Sequence, residues 1–393
     1  MRSPVPTRLR LMNKVRAHLD ASFLSDAVLA LPSVYYIGLC AVCNIRCPYC
    51  PRQNFPDEVD NGLMSFEEFK KIIEYLNYAE IVFLFGIGEP FLHPQFFDFV
   101  REAKKTGIRT STNTHGMSLN AENREKIIET GLDEISISFD GADEKVFNFL
   151  RAGADFKTVV GNIAALQSLK KERGSQAPEL QFATVISRHN VRQMPDLVQL
   201  ARKLGIKKIV FTNLITLHEE NAEVSVAKTD LFADSYEKAK LLGKRLGVEI
   251  EYWSQHPFPW KKDPMPEFDP ERRIRYACPD LWRLGIIDRT GNLKSCCYYE
   301  NMSGNVFQTP VPDVFNNDLS RALRRSLLDG RLMECCVNCG MLRRASVEIA
   351  RAELENADAA LADARATGLL ADADIRLLES EIKKYRTFQK ELS

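Results

Sequence analysis

The chain has 393 residues, 45% hydrophobic and 27% charged, a composition that suits an ordinary globular protein with one large domain and a smaller one. Lys plus Arg and Asp plus Glu each number 53, so there is no global positive field to recruit nucleic acid. No apolar run approaches the ~18 residues of a membrane span, and no signal-peptide core precedes a small-residue cleavage site.

Residues 1–32 form an N-terminal helical segment in which Arg2, Arg8, Arg10, Lys14 and Arg16 face a single Asp20. This segment reads as a first helix packed on the domain. A basic amphipathic helix on a membrane surface is the other reading. From residue 33, short apolar runs alternate with helical patterns. Strands are predicted at 33–39, 81–85, 108–113, 134–139, 180–186 and 208–212, with helices at 94–106, 121–130, 157–173 and 194–204 between them. Six βα repeats argue for a parallel sheet covered by helices, an α/β fold that makes a partial (β/α)6 TIM-like barrel over 33–254. In such sheets chemistry gathers at the C-terminal strand ends, where the polar motifs fall. A further helix at 231–246 and strand at 248–252 lead into a Pro-rich linker, 255–277. Beyond a small cysteine-bearing domain, 278–342, the extension 343–393 carries Val347, Leu354 and Leu361 at heptad spacing and a break at Thr367-Gly368. It reads as a helical hairpin, packed on the body or pairing with a second copy or a partner.

The ten cysteines fall in two groups, with none between Cys50 and Cys278. Two tight groups without a secretory signal read as metal sites in a reducing, cytoplasmic compartment rather than as a disulfide framework. Cys43, Cys47 and Cys50 have the spacing C-x3-C-x2-C just after a strand. Three thiolates and no nearby histidine suit structural zinc poorly. They suit a 4Fe–4S cubane that keeps one iron open. Gly86-Ile87-Gly88-Glu89-Pro90 closes the next strand; its glycines allow close approach and its carboxylate and backbone acceptors suit an ammonium.

Taken together, the segment 33–215 resembles the radical S-adenosylmethionine (SAM) superfamily. The resemblance implies that Cys43, Cys47 and Cys50 hold the cluster and that SAM chelates its open iron. It implies that Tyr49 places the adenine and that Gly86, Gly88, Glu89 and Pro90 receive the SAM amino group. Asn113 is similar to the third-strand motif, and Ser136 and Ser138 to the strand that meets the ribose and methionine part. Arg151 is similar to the arginine that pairs with the SAM carboxylate. His115 reads as a loop residue.

Cys278, Cys296, Cys336 and Cys339 form the second set: a hairpin around 289–292 supplies two thiols and the C-x2-C pair supplies two more. Four thiolates can close around one zinc. The set also resembles the shortened SPASM domain, called twitch, which implies one auxiliary 4Fe–4S cluster. Cys335 competes with Cys336 as ligand. Cys40, Cys297 and Cys335 otherwise read as small apolar side chains, and Cys297 or Tyr298 as a hydrogen donor to a substrate radical, with Tyr299 competing.

The resemblance implies that an external one-electron donor, such as flavodoxin or ferredoxin, reduces the cluster, which cleaves SAM to methionine and a 5′-deoxyadenosyl radical that takes a hydrogen atom. A small-molecule substrate (a sugar, aminocyclitol or nucleoside undergoing dehydrogenation, epimerisation or a related rearrangement) is the first expectation. A maturase of a ribosomal peptide or protein is the alternative, with few residues ahead of the barrel for a peptide-recognition domain. A non-enzymatic metal-bound interaction protein is the third.

Overall fold

Runs rich in β-branched and aromatic residues become strands because such side chains pack well on a pleated surface. The computed structural model describes residues 6–54, 61–215, 219–226, 229–253, 275–296, 303–333, 336, 339 and 342–392. Its strands are β1 (Val34–Ile37), β2 (Ile81–Phe83), β3 (Arg109–Thr114), β4 (Glu134–Ser138), β5 (Glu179–Ile186), β6 (Lys208–Asn213), β7 (Glu249–Trp253), β8 (Arg275–Ala277), β9 (Leu284–Ile287), β10 (Asn292–Lys294), β11 (Gly304–Asn305) and β12 (Arg343–Ala345).

Strands β1 to β7 pair in chain order, each parallel to the next, so the βα alternation folds as expected with β7 added. The connecting helices include Phe96–Lys105, Ala121–Thr130, Phe156–Glu172 and Met194–Lys203. Local chemistry sets their ends. Asn120 and Asp155 accept from the backbone N–H three residues on, and Gly131 ends its helix at φ +65°. Ile135 and Ile137 of β4 are fully buried. With a period of two they share one face, which leaves Glu134, Ser136 and Ser138 on the other.

The sheet does not stop at β1. On its other edge β9 runs parallel in the register Val34↔Leu284 to Ile37↔Ile287, β10 returns antiparallel, and β11 completes a ten-stranded sheet. The expected hairpin is present, with Asp288 accepting from the N–H of Thr290 and of Asn292 and Gly291 at φ +86°. Its first strand begins only at Leu284, because Pro279 opens a helical turn, Pro279–Arg283, that holds Trp282.

Helices Val347–Ala366 and Asp372–Leu392 form the predicted hairpin, and their partner is the chain's own first helix, Arg8–Ala21. Met12, Val15 and Leu19 bury against Leu354, Leu361, Leu378, Ile382 and Tyr385 in a core separate from that of the barrel. Arg10 fastens the first helix to the barrel, donating to the carbonyls of Leu76, Ala79 and Thr106. Among the described residues no helix is long and apolar enough to cross a membrane.

Candidate active site

The cysteine loop leaves β1 at its C-terminal end. Cys43, Cys47 and Cys50 are all half-buried, and Cys40 is buried apart from them with its thiol donating to the Val42 carbonyl at 3.4 Å. The loop is stapled to the chain after Arg151, because Arg46 N–H donates to the Ala152 carbonyl at 2.7 Å and Gly153, at φ +97°, packs directly on Ile45. Burial pushes the Cys43 and Cys47 thiols up, and the Arg151 guanidinium draws Cys47 back down. Among the described residues no three metal-binding side chains converge on one point as a single ion requires. The thiolates of a cubane take different irons, so a cluster spreads its ligands wider than one ion does.

The Gly86–Pro90 turn lies directly against that loop. Gly88 N–H donates to Cys40 at 3.1 Å and Glu89 N–H to Val42 at 2.8 Å. A Cβ on Gly88 would sit 2.5 Å from the Val42 oxygen and 2.6 Å from the Cys40 oxygen, so only glycine fits. On Gly86 a Cβ would stand 3.1 Å from the Gly38 Cα. Pro90 opens the turn that follows, and Glu89 caps it by accepting from Phe91 N–H. The Glu89 carboxylate is 2% exposed and faces the end of β3, where it accepts from Thr114 Oγ1 at 2.8 Å and from His115 N–H at 3.0 Å. Burial pushes Glu89 up to about 7.

His115 joins the two loops, a role its sequence context did not signal. Its Nδ1 accepts from Met117 N–H at 3.1 Å, so its Nε2 carries the hydrogen and donates to Asn44 Oδ1 at 2.8 Å. Burial drives the ring down to about 4, with Arg151 pushing the same way, and the imidazole stays neutral. Ser138 donates to Asn113 Oδ1 at 3.4 Å across neighbouring strands, while Ser136 accepts from Gln181. Arg151 pairs with buried Asp140 at 2.7 Å and reaches Cys47 Sγ at 3.9 Å, while its buried Nε has no partner. Asp140 is the anchor that sequence reading missed; it also accepts from Val185 N–H at 2.8 Å. Tyr49 bonds through its hydroxyl to His189 Nε2 at 3.1 Å.

Of the second cysteine set, Cys278 directly follows β8 and Cys339 lies shortly before β12. These strands pair antiparallel, with Ala277 opposite Arg343. Cys278 and Cys336 are buried, Cys296 and Cys339 half-buried. Burial pushes the Cys278 thiol up to about 12, and Asp280 and Cys339 add to it. Cys339 N–H donates to the Cys336 carbonyl at 3.2 Å in a turn that sets the pair. Cys297, Tyr298, Tyr299 and Cys335 lie outside the described residues.

Three thiols at the C-terminal end of a parallel sheet thus lie with a glycine-bearing turn and a half-buried arginine. Residues 38–228 match the family described as the Radical SAM superfamily, and over this span the chain is similar to a radical SAM domain. That family implies a 4Fe–4S cluster and SAM. The chain is 29% identical over 224 residues to the tungsten-containing aldehyde ferredoxin oxidoreductase cofactor-modifying protein of Pyrococcus furiosus, covering 56% of this chain and 62% of that protein. It is 27% identical over 240 residues to the mycofactocin maturase MftC of Mycobacterium tuberculosis, covering 61% of this chain and 54% of that protein. The chain thus spans less than two thirds of either relative's length. The SAM-bound crystal structure of Streptococcus suis SuiB superposes with a TM-score of 0.57 at 16% identity, over 79% of this chain and 71% of that one, a likeness of fold.

Proposed function

We propose that this chain is a radical SAM maturase that modifies a peptide or protein substrate. The likeness to a mycofactocin maturase over 240 residues carries this reading. The sequence alone placed a small-molecule substrate first, and the relatives favour the maturase instead. A small organic substrate stays as the second reading, favoured by the likeness to a cofactor-modifying protein.

The residues present fit the groups the family implies. Cys43, Cys47 and Cys50 would hold the 4Fe–4S cluster, which with SAM supplies one-electron hydrogen-abstraction chemistry when bound. Arg151 is a half-buried cation beside Cys47 whose buried Nε–H has no partner, and it suits a carboxylate. Asp140 fixes where that cation points. Gly86 and Gly88 let the turn pack directly on the backbone at Gly38 and in the cysteine loop, and the turn with Pro90 would receive the SAM amino group. Glu89 sets the turn by accepting from Phe91 N–H, Thr114 Oγ1 and His115 N–H. Asn113, Ser136 and Ser138 offer polar groups from β3 and β4, and Tyr49 offers a ring face to the adenine. Cys278, Cys296, Cys336 and Cys339 would hold one auxiliary 4Fe–4S cluster, with zinc as the rival metal. Cys297 or Tyr298 would return the hydrogen atom. A flavodoxin or ferredoxin in a reducing cytoplasm would supply the electron.

Anaerobic iron and sulfide counts on wild type and on a Cys43→Ala/Cys47→Ala/Cys50→Ala variant test the metal sites. About eight irons falling to about four supports two cubanes; about four falling to none puts zinc in the second site. 5′-Deoxyadenosine from the reduced wild type tests the enzyme. Mass change in a co-expressed short peptide supports the maturase, and turnover of a free small molecule with every peptide unchanged overturns it.

A further inference from the structure

Tyr49, in the cysteine loop, meets a distant element through its hydroxyl, as Asn44 does through its side-chain oxygen. The partner of Tyr49, His189, lies in the turn after β5. The two rings are 21° from parallel with centroids 6.2 Å apart, and the hydroxyl meets Nε2 at 3.1 Å. A third ring joins them: Phe149, in the helix Glu144–Leu150, meets the same imidazole at 4.9 Å and 60°. Three separate elements thus build one aromatic corner.

The corner is rigidly backed. His189 N–H donates to Ser187 Oγ, and Ser187 N–H to Asn190 Oδ1 at 2.8 Å. Asn190 in turn donates to the carbonyls of Val185 and Asp140, each at 2.8 Å. The turn that holds His189 is therefore tied to the residue that holds Arg151. Phe149 stands two residues before Arg151 and is 49% exposed. Ring faces left open in this way suit a flat heterocycle.

We infer that His189 is a positioning residue for the purine of SAM, holding the Tyr49 ring so that it and Phe149 form the corner that takes a flat nitrogen heterocycle. This rests on the reading of the Cys43–Cys50 loop as the SAM site. An alternative role for the three rings is to pack the end of helix Glu144–Leu150, and the two roles separate by ligand.

SAM and L-methionine share the amino and carboxylate groups, but only SAM carries a purine. The full-length, anaerobically reconstituted protein is titrated with each by calorimetry, and by the change in the reduced cluster's electron paramagnetic resonance spectrum. His189→Phe keeps a ring and removes the hydrogen bond. It raises the SAM Kd about three- to tenfold, the range of one net hydrogen bond, and leaves the methionine Kd unchanged. Phe149→Ala weakens SAM alone in the same way. Tyr49→Phe combined with His189→Phe costs no more than either single change, because both remove one bond. Equal weakening of both ligands, or no change in either, overturns the inference while the SAM site stands. A wild-type protein that binds no SAM removes the site reading and the inference with it.

Discussion

Gly88→Ala is the sharpest perturbation of the site, because the added carbon meets backbone rather than a movable side chain. Its Cβ would lie 2.5 Å from the Val42 oxygen and 2.6 Å from the Cys40 oxygen. Real Cβ atoms essentially never approach below 3.0 Å, so the turn or the cysteine loop must move by at least half an ångström. The same two carbonyls accept from Gly88 N–H and Glu89 N–H. Losing both bonds costs about 1–3 kcal/mol, and overpacking adds about 1–3 kcal/mol. Even the lower sum, about 2 kcal/mol, shifts the intact loop's population about thirtyfold. The expected result is a folded protein that sheds the iron of its first site on desalting and binds SAM at least about tenfold more weakly. Iron content and calorimetry measure both, with far-UV circular dichroism to follow the fold. Gly161→Ala is the control: it lies in helix Phe156–Glu172 with nothing within 4 Å of the added carbon. Alanine there stabilises by up to about 1 kcal/mol and leaves iron and SAM untouched. A Gly88→Ala protein that keeps its iron and binds SAM within about twofold of wild type refutes the contact argument.

Two further outcomes follow from buried groups. Asp20, which accepts from the N–H of Leu29 and Ala30 and from Tyr385 Oη, is pushed by burial from 3.8 up to about 7. The folded state therefore takes this proton first. Its contribution is full below the unfolded value and is lost as pH rises to about 7, by at most about 4 kcal/mol. Asp20→Asn should flatten that dependence in urea unfolding between pH 5 and pH 8; an unchanged slope contradicts the assignment. His115→Leu leaves Asn44 Oδ1 and Met117 N–H without their ring partner, a loss of about 1–3 kcal/mol at the junction of the two loops. It should lose iron faster than wild type on anaerobic desalting, and equal retention would show that the junction does not depend on this ring.

The barrel was legible in the sequence because its signals are local: short apolar runs alternating with helical patterns. The cysteine loop and the Gly86–Pro90 turn were legible for the same reason, since spacing within ten residues fixes them. What sequence could not give was each partner across distance. His115 read as a loop residue because nothing near it in the chain names Asn44, seventy-one positions away. Asp140, His189 and Phe149 were silent for the same reason. The C-terminal hairpin was legible as a hairpin, but its apolar stripe does not say which helix covers it, and the cover proved to be the chain's own first helix.

The pairing of β9 with β1 has a mechanical consequence for the two cysteine sets. β1 runs directly into the loop of Cys43, Cys47 and Cys50, while Cys278 and Cys296 flank the hairpin β9–β10. Four residue pairs, from Val34↔Leu284 to Ile37↔Ile287, join the two strands, so the spacing between the sets is fixed by a backbone ladder rather than by a linker. Gly38 N–H extends that ladder by donating to the Ile287 carbonyl at 2.8 Å. Gly285 sits within it where a Cβ would come 2.9 Å from the Tyr35 ring, so the ladder closes only with no side chain at that position. A sheet shared in this way transmits a shift in either site's strand to the other, because parallel register cannot slip by one residue without turning every side chain to the opposite face. Cys278 and Cys296, on either side of that hairpin, are thereby tied through β9 to the strand that carries the first cysteine loop.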